Sequence, residues 1–379
     1  MVGTRREAEA LERFRGRCAG TDAERRAAVH LRDRLTGMGR EAELQPIRVR
    51  PRFGLAHALH ALLAVAGSLV AVGATAAGSA LVLLAAVLTF LDASGYLQVM
   101  RWMLAGRASQ NVESREHGDK PGVLIVTAGY DSPRESGALG LATRLLRDPW
   151  LVMWGAMVAI LACCVLRLTG TESTALTVVQ FVPTVLLVLI IPALVDVELS
   201  GAGGDPAGAG AVATALRLGD DLGAKLEHFD IWVVLTGANQ PFALGMGAWL
   251  GRRRKELDRR STAVISIGAA GAGPVHYTRR QGIIFSQRSH GDLVRVSREI
   301  AEDSAGEGSE IHPYVSREPS AAARAAGRGL PSITVSTAGR QPADEDALDR
   351  LHAFARELIE RLDAEVGPSL SRGDPPTGR

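Results

Sequence analysis

The chain has 379 residues, of which 46% are hydrophobic and 22% charged, and its formal charge is +2. So weak a balance, with the basic residues scattered, excludes a nucleic-acid surface as the organising feature. Three cysteines, two of them adjacent at Cys163 and Cys164, exclude a disulfide framework or a zinc-ribbon spacing.

The amino terminus, MVGTRREAEALERFRGR, is charged throughout and has no apolar h-region, so no cleaved secretory signal is expected. Thr21 to Met38 carries Ala27, Leu31 and Leu35 at helical spacing behind a Thr21-Asp22 cap with Glu24 close after it, which predicts an amphipathic surface helix. Glu41 to Val49 alternates apolar and polar residues as a half-buried strand does. From Phe53 to Leu91 nothing is formally charged at neutral pH, apart from whatever charge His57 or His60 carries. The length suits two membrane helices joined by the small-residue turn GATAAGSA. Ser109 to Ser114 resumes polar, strand-like sequence. Val123 to Pro133, VLIVTAGYDSP, reads as a buried central strand running into a sharp polar turn, which delivers Gly129, Tyr130 and Asp131 to the crevice at its carboxyl end.

Pro149 to Leu166 and Ser173 to Val195 form a second uncharged pair, and Pro183 and Pro192 are tolerable in a membrane helix but costly in a soluble one. Four spans are expected. Arg48, Arg50, Arg52, Arg101, Arg107, Arg144 and Arg147 flank them on the side shared by the soluble pieces, whereas the short turns offer only Arg167. The positive-inside rule therefore places the soluble domain in the cytoplasm of a multi-pass cell-membrane protein. Beyond Val195, Gly201 to Leu218 is a glycine-rich turn leading into an Ala/Leu helix. Phe229 to Leu235, Ala263 to Ile267 and Leu330 to Ser336 are strands, and Asp344 to Leu362 is a terminal helix. Strands alternating with helices imply an α/β fold, a mainly parallel (mixed) sheet sandwiched by helices and interrupted by two transmembrane hairpins. Residues 1–52, 99–148 and 198–366 then make up one domain, 53–98 and 149–197 the hairpins, and 367–379, rich in Pro, Gly and Ser, a disordered tail.

Several local signals carry little. Gly208, Gly210 and Ala213 match a loose dinucleotide fingerprint without its strand-plus-turn context or acidic partner. Arg252, Arg253, Arg254 and Lys255 form the one basic run, read as a solvated helix end or a headgroup contact. His276, His290, His312 and His352 are dispersed and read as surface or satisfied core histidines. No GxSxG elbow is present.

Taken in order, TAGYDSP, GGDPAGAGAVATAL, VVLTGANQPFALG, AVISIGAAG and PSAAARAAGRGLPSITVS resemble the motifs of the co-catalytic di-zinc aminopeptidases. That fold is shared by glutamate carboxypeptidases, glutaminyl cyclases and the ectodomains of transferrin receptor and nicastrin. The resemblance covers about Gly20 to Pro51 and Ser109 to Leu362 and excludes the apolar insertions. Carried over residue by residue, the family's first histidine ligand falls on Gly129. Asp131, which in the family orients that histidine, is retained, as is the bridging carboxylate at Asp205. The paired glutamates, general base and ligand, fall on Asn239 and Gln240, the remaining aspartate ligand on Gly268 and the last histidine ligand on Ala322. One ligand carboxylate cannot hold two zinc ions, since even one catalytic zinc takes about three protein ligands. An amide cannot take up a proton from water.

The resemblance thus implies a membrane-anchored, catalytically inactive zinc-aminopeptidase-like protein. It would act as a scaffold or as a module binding a peptide or membrane protein, in contact with the bilayer and not with nucleic acid, and without a cofactor. The alternative is an active membrane metallo-aminopeptidase whose zinc site is rebuilt from Asp131, Asp205 and one of the dispersed histidines. Purified protein is expected to hold no stoichiometric zinc and not to cleave aminoacyl anilides. Cys18 is expected to react with thiol reagents only once the cytoplasmic face is opened. The Asp205-Pro206 bond is expected to be cis, by analogy with the family's bridging carboxylate, and the crevice to lie near the bilayer surface.

Overall fold

The computed structural model describes residues 3–94, 98–134, 149–171, 173–200, 203–282, 286–304, 310–339 and 341–370. Arg144 and Arg147, and the tail beyond Leu370, lie outside them. The chain forms two compact units, the first from Met1–Val49, Arg107–Pro133 and Ala202–Arg379, the second from Arg50–Gly106 and Arg134–Gly201.

The first unit is built on a nine-stranded sheet. Its strands are β1 (Glu43–Val49), β2 (Arg107–Ser114), β3 (Gly122–Gly129), β4 (Phe229–Thr236), β5 (Thr262–Ile267), β6 (Val275–Gln281), β7 (Gln287–Arg288), β8 (Ile311–Ser316) and β9 (Ser332–Thr337). They run in the order β1-β2-β4-β3-β5-β9-β6-β7, with β8 pairing β6. The four central strands β4, β3, β5 and β9 are mutually parallel. Every residue of β4 and β5 is buried, which is why FDIWVVLT and TAVISI read as near-continuous apolar runs.

In chain order the helices are α1 (Thr4–Glu12), α2 (Asp22–Gly37), α3 (Phe53–Gly73), α4 (Thr75–Ser94), α5 (Val99–Trp102), α6 (Pro149–Leu168), α7 (Thr174–Leu199), α8 (Pro206–Leu222), α9 (Leu244–Arg252), α10 (Gly291–Ser304), α11 (Ala321–Ala326) and α12 (Glu345–Arg361). Side chains alternate across the sheet. Leu124, Val126, Ile231, Val233 and Ile265 join a core with α2, α8, α10 and α12. Ile125, Val234 and Val264 join a second core with Met246 and Trp249 of α9 and Ala325 of α11. Helices α1 and α9 to α11 and strands β6 to β8 have no counterpart in the sequence reading.

Three expectations are corrected. Among the described residues the one cis peptide is Gln240-Pro241, so Asp205-Pro206 is trans. Asp205 is the N-cap of α8, its carboxylate accepting the Gly208 N–H at 3.0 Å. Pro206 takes the first helical position, where its fixed φ suits the helix and its missing N–H costs nothing. Cys18 is buried, with Sγ 3.7 Å from the Pro133 carbonyl oxygen, so it is a poor probe of sidedness. The chain remains packed past Gly367, because Leu370 is buried and its N–H donates to the Arg260 carbonyl at 2.9 Å.

In the second unit α3, α4, α6 and α7 are long and apolar enough to cross a membrane. Their shared core is made largely of small and flexible side chains, among them Ala64, Ala85, Met157 and Leu187. A Cβ on Gly78 would fall 2.3 Å from the Ala71 backbone nitrogen, the close backbone approach that small residues permit between membrane helices. Gln180 Nε2 donates to the Ser68 carbonyl at 2.9 Å, and the Ser68 and Thr184 hydroxyls lie 2.7 Å apart. The outward side chains are apolar, with Leu69, Val178 and Leu189 all exposed.

Candidate functional site

Open α/β sheets place their sites outside the carboxyl ends of the parallel strands. Here β3 and β4 end in register, Gly129 opposite Thr236. Gly129 closes β3 and Asp131 lies two residues beyond it. Asn239 and Gln240 occupy the turn after β4, Gly268 follows β5 and Asp205 caps α8. Ala322 is fully buried within α11, where its carbonyl accepts the Ser332 hydroxyl at 2.9 Å.

The structure brings Gly129, Asp131, Asn239 and Gln240 together and shows how the space between them is used. A Cβ on Gly129 would meet Asn239 Nδ2 at 2.4 Å, Cγ at 2.5 Å and Cβ at 2.7 Å. The Asn239 side chain therefore stands where a larger residue at 129 would begin. The Asp131 carboxylate is engaged at both oxygens, Oδ1 accepting the Asn239 N–H at 2.8 Å and Oδ2 the Gln240 N–H at 2.9 Å. It pins the turn after β4 to the end of β3. Burial pushes its pKa well above the usual carboxylate range, against the lowering by those two amides.

The amino-terminal segment closes over the same strand end. Arg17 is 1% exposed. Its Nε donates to the Tyr130 carbonyl at 2.9 Å, Nη1 to the Leu11 carbonyl at 2.8 Å and Nη2 to Glu12 Oε1 at 2.7 Å. The Ser132 N–H donates back to the Arg17 carbonyl at 3.0 Å, so the residues on both sides of Asp131 are held by Arg17. Glu12 Oε1 also accepts the Asp205 N–H at 3.4 Å. The Arg17–Glu12 pair thus joins the end of β3 to the start of α8. Glu24 of α2 forms a further tie, with Oε1 accepting the Ser109 hydroxyl at 2.6 Å and the Ala238 N–H at 2.9 Å, and Oε2 the Gly20 N–H at 2.6 Å. Burial raises its pKa as well. Neither Arg17 nor Glu24 was singled out from the sequence as a site residue, because the partners that tie them to the sheet and its loops, Tyr130, Ser132, Ser109 and Ala238, lie 85 residues or more away.

The two zinc ions that the resemblance implies do not fit these residues. Of the positions concerned only Asp131 and Asp205 carry carboxylates. Asp131 uses both oxygens on backbone amides, and Gly129, Gly268 and Ala322 offer no side-chain donor. The dispersed histidines have other neighbours. His352 Nε2 is 3.0 Å from Asp221 Oδ2, His290 Nδ1 is 3.7 Å from Asp292, and His276 stacks on Tyr314 at 5.5 Å between ring centres. A cleft of about 480 Å³ remains beside α1 and the first turn of α8, lined by Arg5, Arg13, Arg15, Pro206, Ala270 and Leu348 among others. Among the described residues, the one group of three histidine, cysteine or acidic side chains close enough to share a metal ion is His57, His60 and Asp92, in the second unit. The sequence signal for it is a pair of histidines one helical turn apart in an otherwise uncharged segment.

No family model and no curated protein matches the sequence. Solved structures do match the fold. The aminopeptidase from Aneurinibacillus sp. strain AM-1 is similar at a TM-score of 0.54 and 11% identity, over 98% of this chain and 95% of that one. Porphyromonas gingivalis glutaminyl cyclase is similar at 0.51 and 11% identity, over 95% and 97%. A Zn-dependent exopeptidase from Parabacteroides distasonis is similar at 0.50 and 9% identity, over 96% and 97%.

Proposed function

We infer that the chain, which has the fold seen in zinc-dependent exopeptidases, aminopeptidases and glutaminyl cyclases, is a membrane-anchored, non-catalytic member of that architecture, acting as a scaffold or as a module that binds a peptide or another membrane protein. The observation that carries this reading is the Asn239 side chain packed against Gly129, with Asp131 engaged at both oxygens by the same turn. A hydrolase of this type needs a base to deprotonate a metal-bound water, and Asn239 and Gln240 supply only amides. Purified protein supplied with zinc is expected to release no product from aminoacyl anilides, and to bind no metal that depends on Asp205. Hydrolysis above buffer, or bound metal lost on Asp205→Ala, would overturn the reading.

Strand pairing supports the membrane topology. β1 pairs with β2 across α3 and α4, and β3 pairs with β4 across α6 and α7. Each apolar insertion must return the chain to the side it left, which requires an even number of crossings. The arginine flanks favour a cytoplasmic sheet unit. The exposed Lys255 replaces Cys18 as the probe of sidedness, since all three native cysteines are buried. Lys255→Cys is expected to react with a membrane-impermeant maleimide only after the cells are opened, and labelling of intact cells would put the unit outside.

A further inference from the structure

Apolar bundles seldom bury ionisable side chains without a use for them. The second unit buries four within a short stretch of its fold. His57 is 5% exposed, and His60, Asp92 and Arg101 are 1% exposed each. His57 and His60 lie one turn apart on α3, so they share a face. Asp92 lies near the end of α4 and Arg101 on α5. Arg101 Nε is 2.8 Å from Asp92 Oδ1, and its Nη2 donates to Oδ2 at 3.1 Å. That pair accounts for Asp92 and Arg101, each neutralising the other.

It does not account for the imidazoles. Nδ1 of His57 and Nδ1 of His60 are both buried and make no hydrogen bond. His57 Nε2 stands 3.8 Å from Asp92 Oδ2, too far for a hydrogen bond. The two rings are 5.8 Å apart and tilted by 49°, so they do not stack face to face. Burying polar nitrogens without partners is costly in an apolar bundle, and native folds seldom keep such groups. Both rings also adjoin a carboxylate whose Oδ2 is directed towards neither by a hydrogen bond.

We propose that His57, His60 and Asp92 form a site for a divalent transition-metal ion of the zinc type. One ligand atom from each residue lies within 4.8 Å of the other two. Ligands about 2.0–2.1 Å from a tetrahedral zinc stand about 3.4 Å apart. Side-chain rotations that draw the three atoms together by no more than about 1.5 Å therefore complete the site. Two imidazoles and one carboxylate suit zinc and its neighbours in the first transition row and are a poor set for calcium or magnesium. Three protein ligands leave a fourth position for water. Arg101 holds the Asp92 carboxylate at both oxygens, as outer-shell partners of metal ligands do. Its positive charge also opposes the ion, so binding is weaker than at an uncharged two-histidine, one-aspartate site.

The test uses full-length protein in detergent, stripped with a chelator and titrated with Co²⁺ as a coloured substitute for zinc. One equivalent per chain is expected to bind with the visible absorption of a four-coordinate site and to be displaced by Zn²⁺. His57→Ala and His60→Ala are each expected to weaken binding at least about 100-fold, a loss at or beyond the upper end of that seen for outer-shell partners. Asp205→Ala is expected to leave it unchanged. Wild-type protein that is folded yet gives no such spectrum overturns the proposal, whatever the variants do. So does binding that survives the double His57→Ala/His60→Ala change. Because the readout is Co²⁺ held in α3 and α4, hydrolysis of anilides, or metal dependent on Asp205, would defeat the non-catalytic reading without touching this one.

Discussion

Arg17→Ala is expected to destabilise the sheet unit by about 2–4 kcal/mol, the loss of buried hydrogen bonds from a charged donor at about 1.5–3 kcal/mol each. The guanidinium is engaged on several sides, by the carbonyls of Tyr130 and Leu11 and by Glu12. Its removal leaves carbonyl acceptors without their donor at the end of the central strand. It also takes from Glu12 the guanidinium paired with it at 2.7 Å. In thermal unfolding this corresponds to a drop in Tm of roughly 10 °C for a domain of this size. Arg17→Lys is expected to recover only part of the loss, because a single ammonium cannot reach acceptors laid out for a planar fork. Arg13→Ala, at an exposed neighbour, serves as the control and should change stability by less than about 0.5 kcal/mol. An Arg17→Ala protein as stable as the parent would mean that the amino-terminal segment lies over β3 without holding it.

The second expected result concerns the packing of Asn239 on Gly129. Gly129→Ala is expected to cost about 1–3 kcal/mol, the range for a methyl group forced into filled space. The added Cβ would approach three atoms of the Asn239 side chain inside 3 Å, its Cβ included, so rotating the amide alone does not clear it. Asn239→Gly removes all three of these atoms, and the double variant should recover most of the stability lost by Gly129→Ala. The coupling between the two positions should then be about 1 kcal/mol or more, as found for side chains in direct contact. Chemical denaturation of the four proteins gives that number. Additive losses would show that the two residues do not compete for one space. Gly129→His alone should meet the same obstacle and recover no activity, since Asn239, Gln240, Gly268 and Ala322 would still lack ligand or base.

Much of the fold was legible because its signals are local. The apolar runs of β3, β4 and β5, the alternation of β1 and the capped helices α2 and α12 can be read from windows of a dozen residues. The opposite edge of the sheet from β1, strands β6 to β8, was not. β8, IHPYVS, has little buried surface and carries a proline, so neither propensity nor alternation marks it. The segment around Arg17 reads as charged throughout, yet Leu11, Arg17, Cys18 and Ala19 are buried. Its partner Tyr130 lies beyond the first apolar insertion and Asp205 beyond both, and no local pattern predicts such contacts. The positions that the resemblance assigns to zinc ligands, Gly129, Gly268 and Ala322, could be named from motif order alone. That Asn239 fills the space beside Gly129, and that Asp131 holds a turn in place of orienting a histidine, required coordinates. His57 and His60 stood out as the only titratable groups in their segment, but Asp92 became their neighbour only through the antiparallel packing of α3 and α4.

The division of one sheet into three stretches of chain bears on how the protein is made. β3, the central strand, leaves the ribosome before α6 and α7 and before both of its neighbours, β4 and β5. Its apolar edges stay unpaired until both hairpins have been synthesised, and non-local pairings of this kind form slowly and expose aggregation-prone surface meanwhile. On the proposed topology, membrane insertion runs ahead of sheet formation, and a nascent chain stalled between the two would present VLIVTA as an open template for another strand. Chaperone dependence during synthesis, and aggregation when insertion is blocked, are the expected marks of that order.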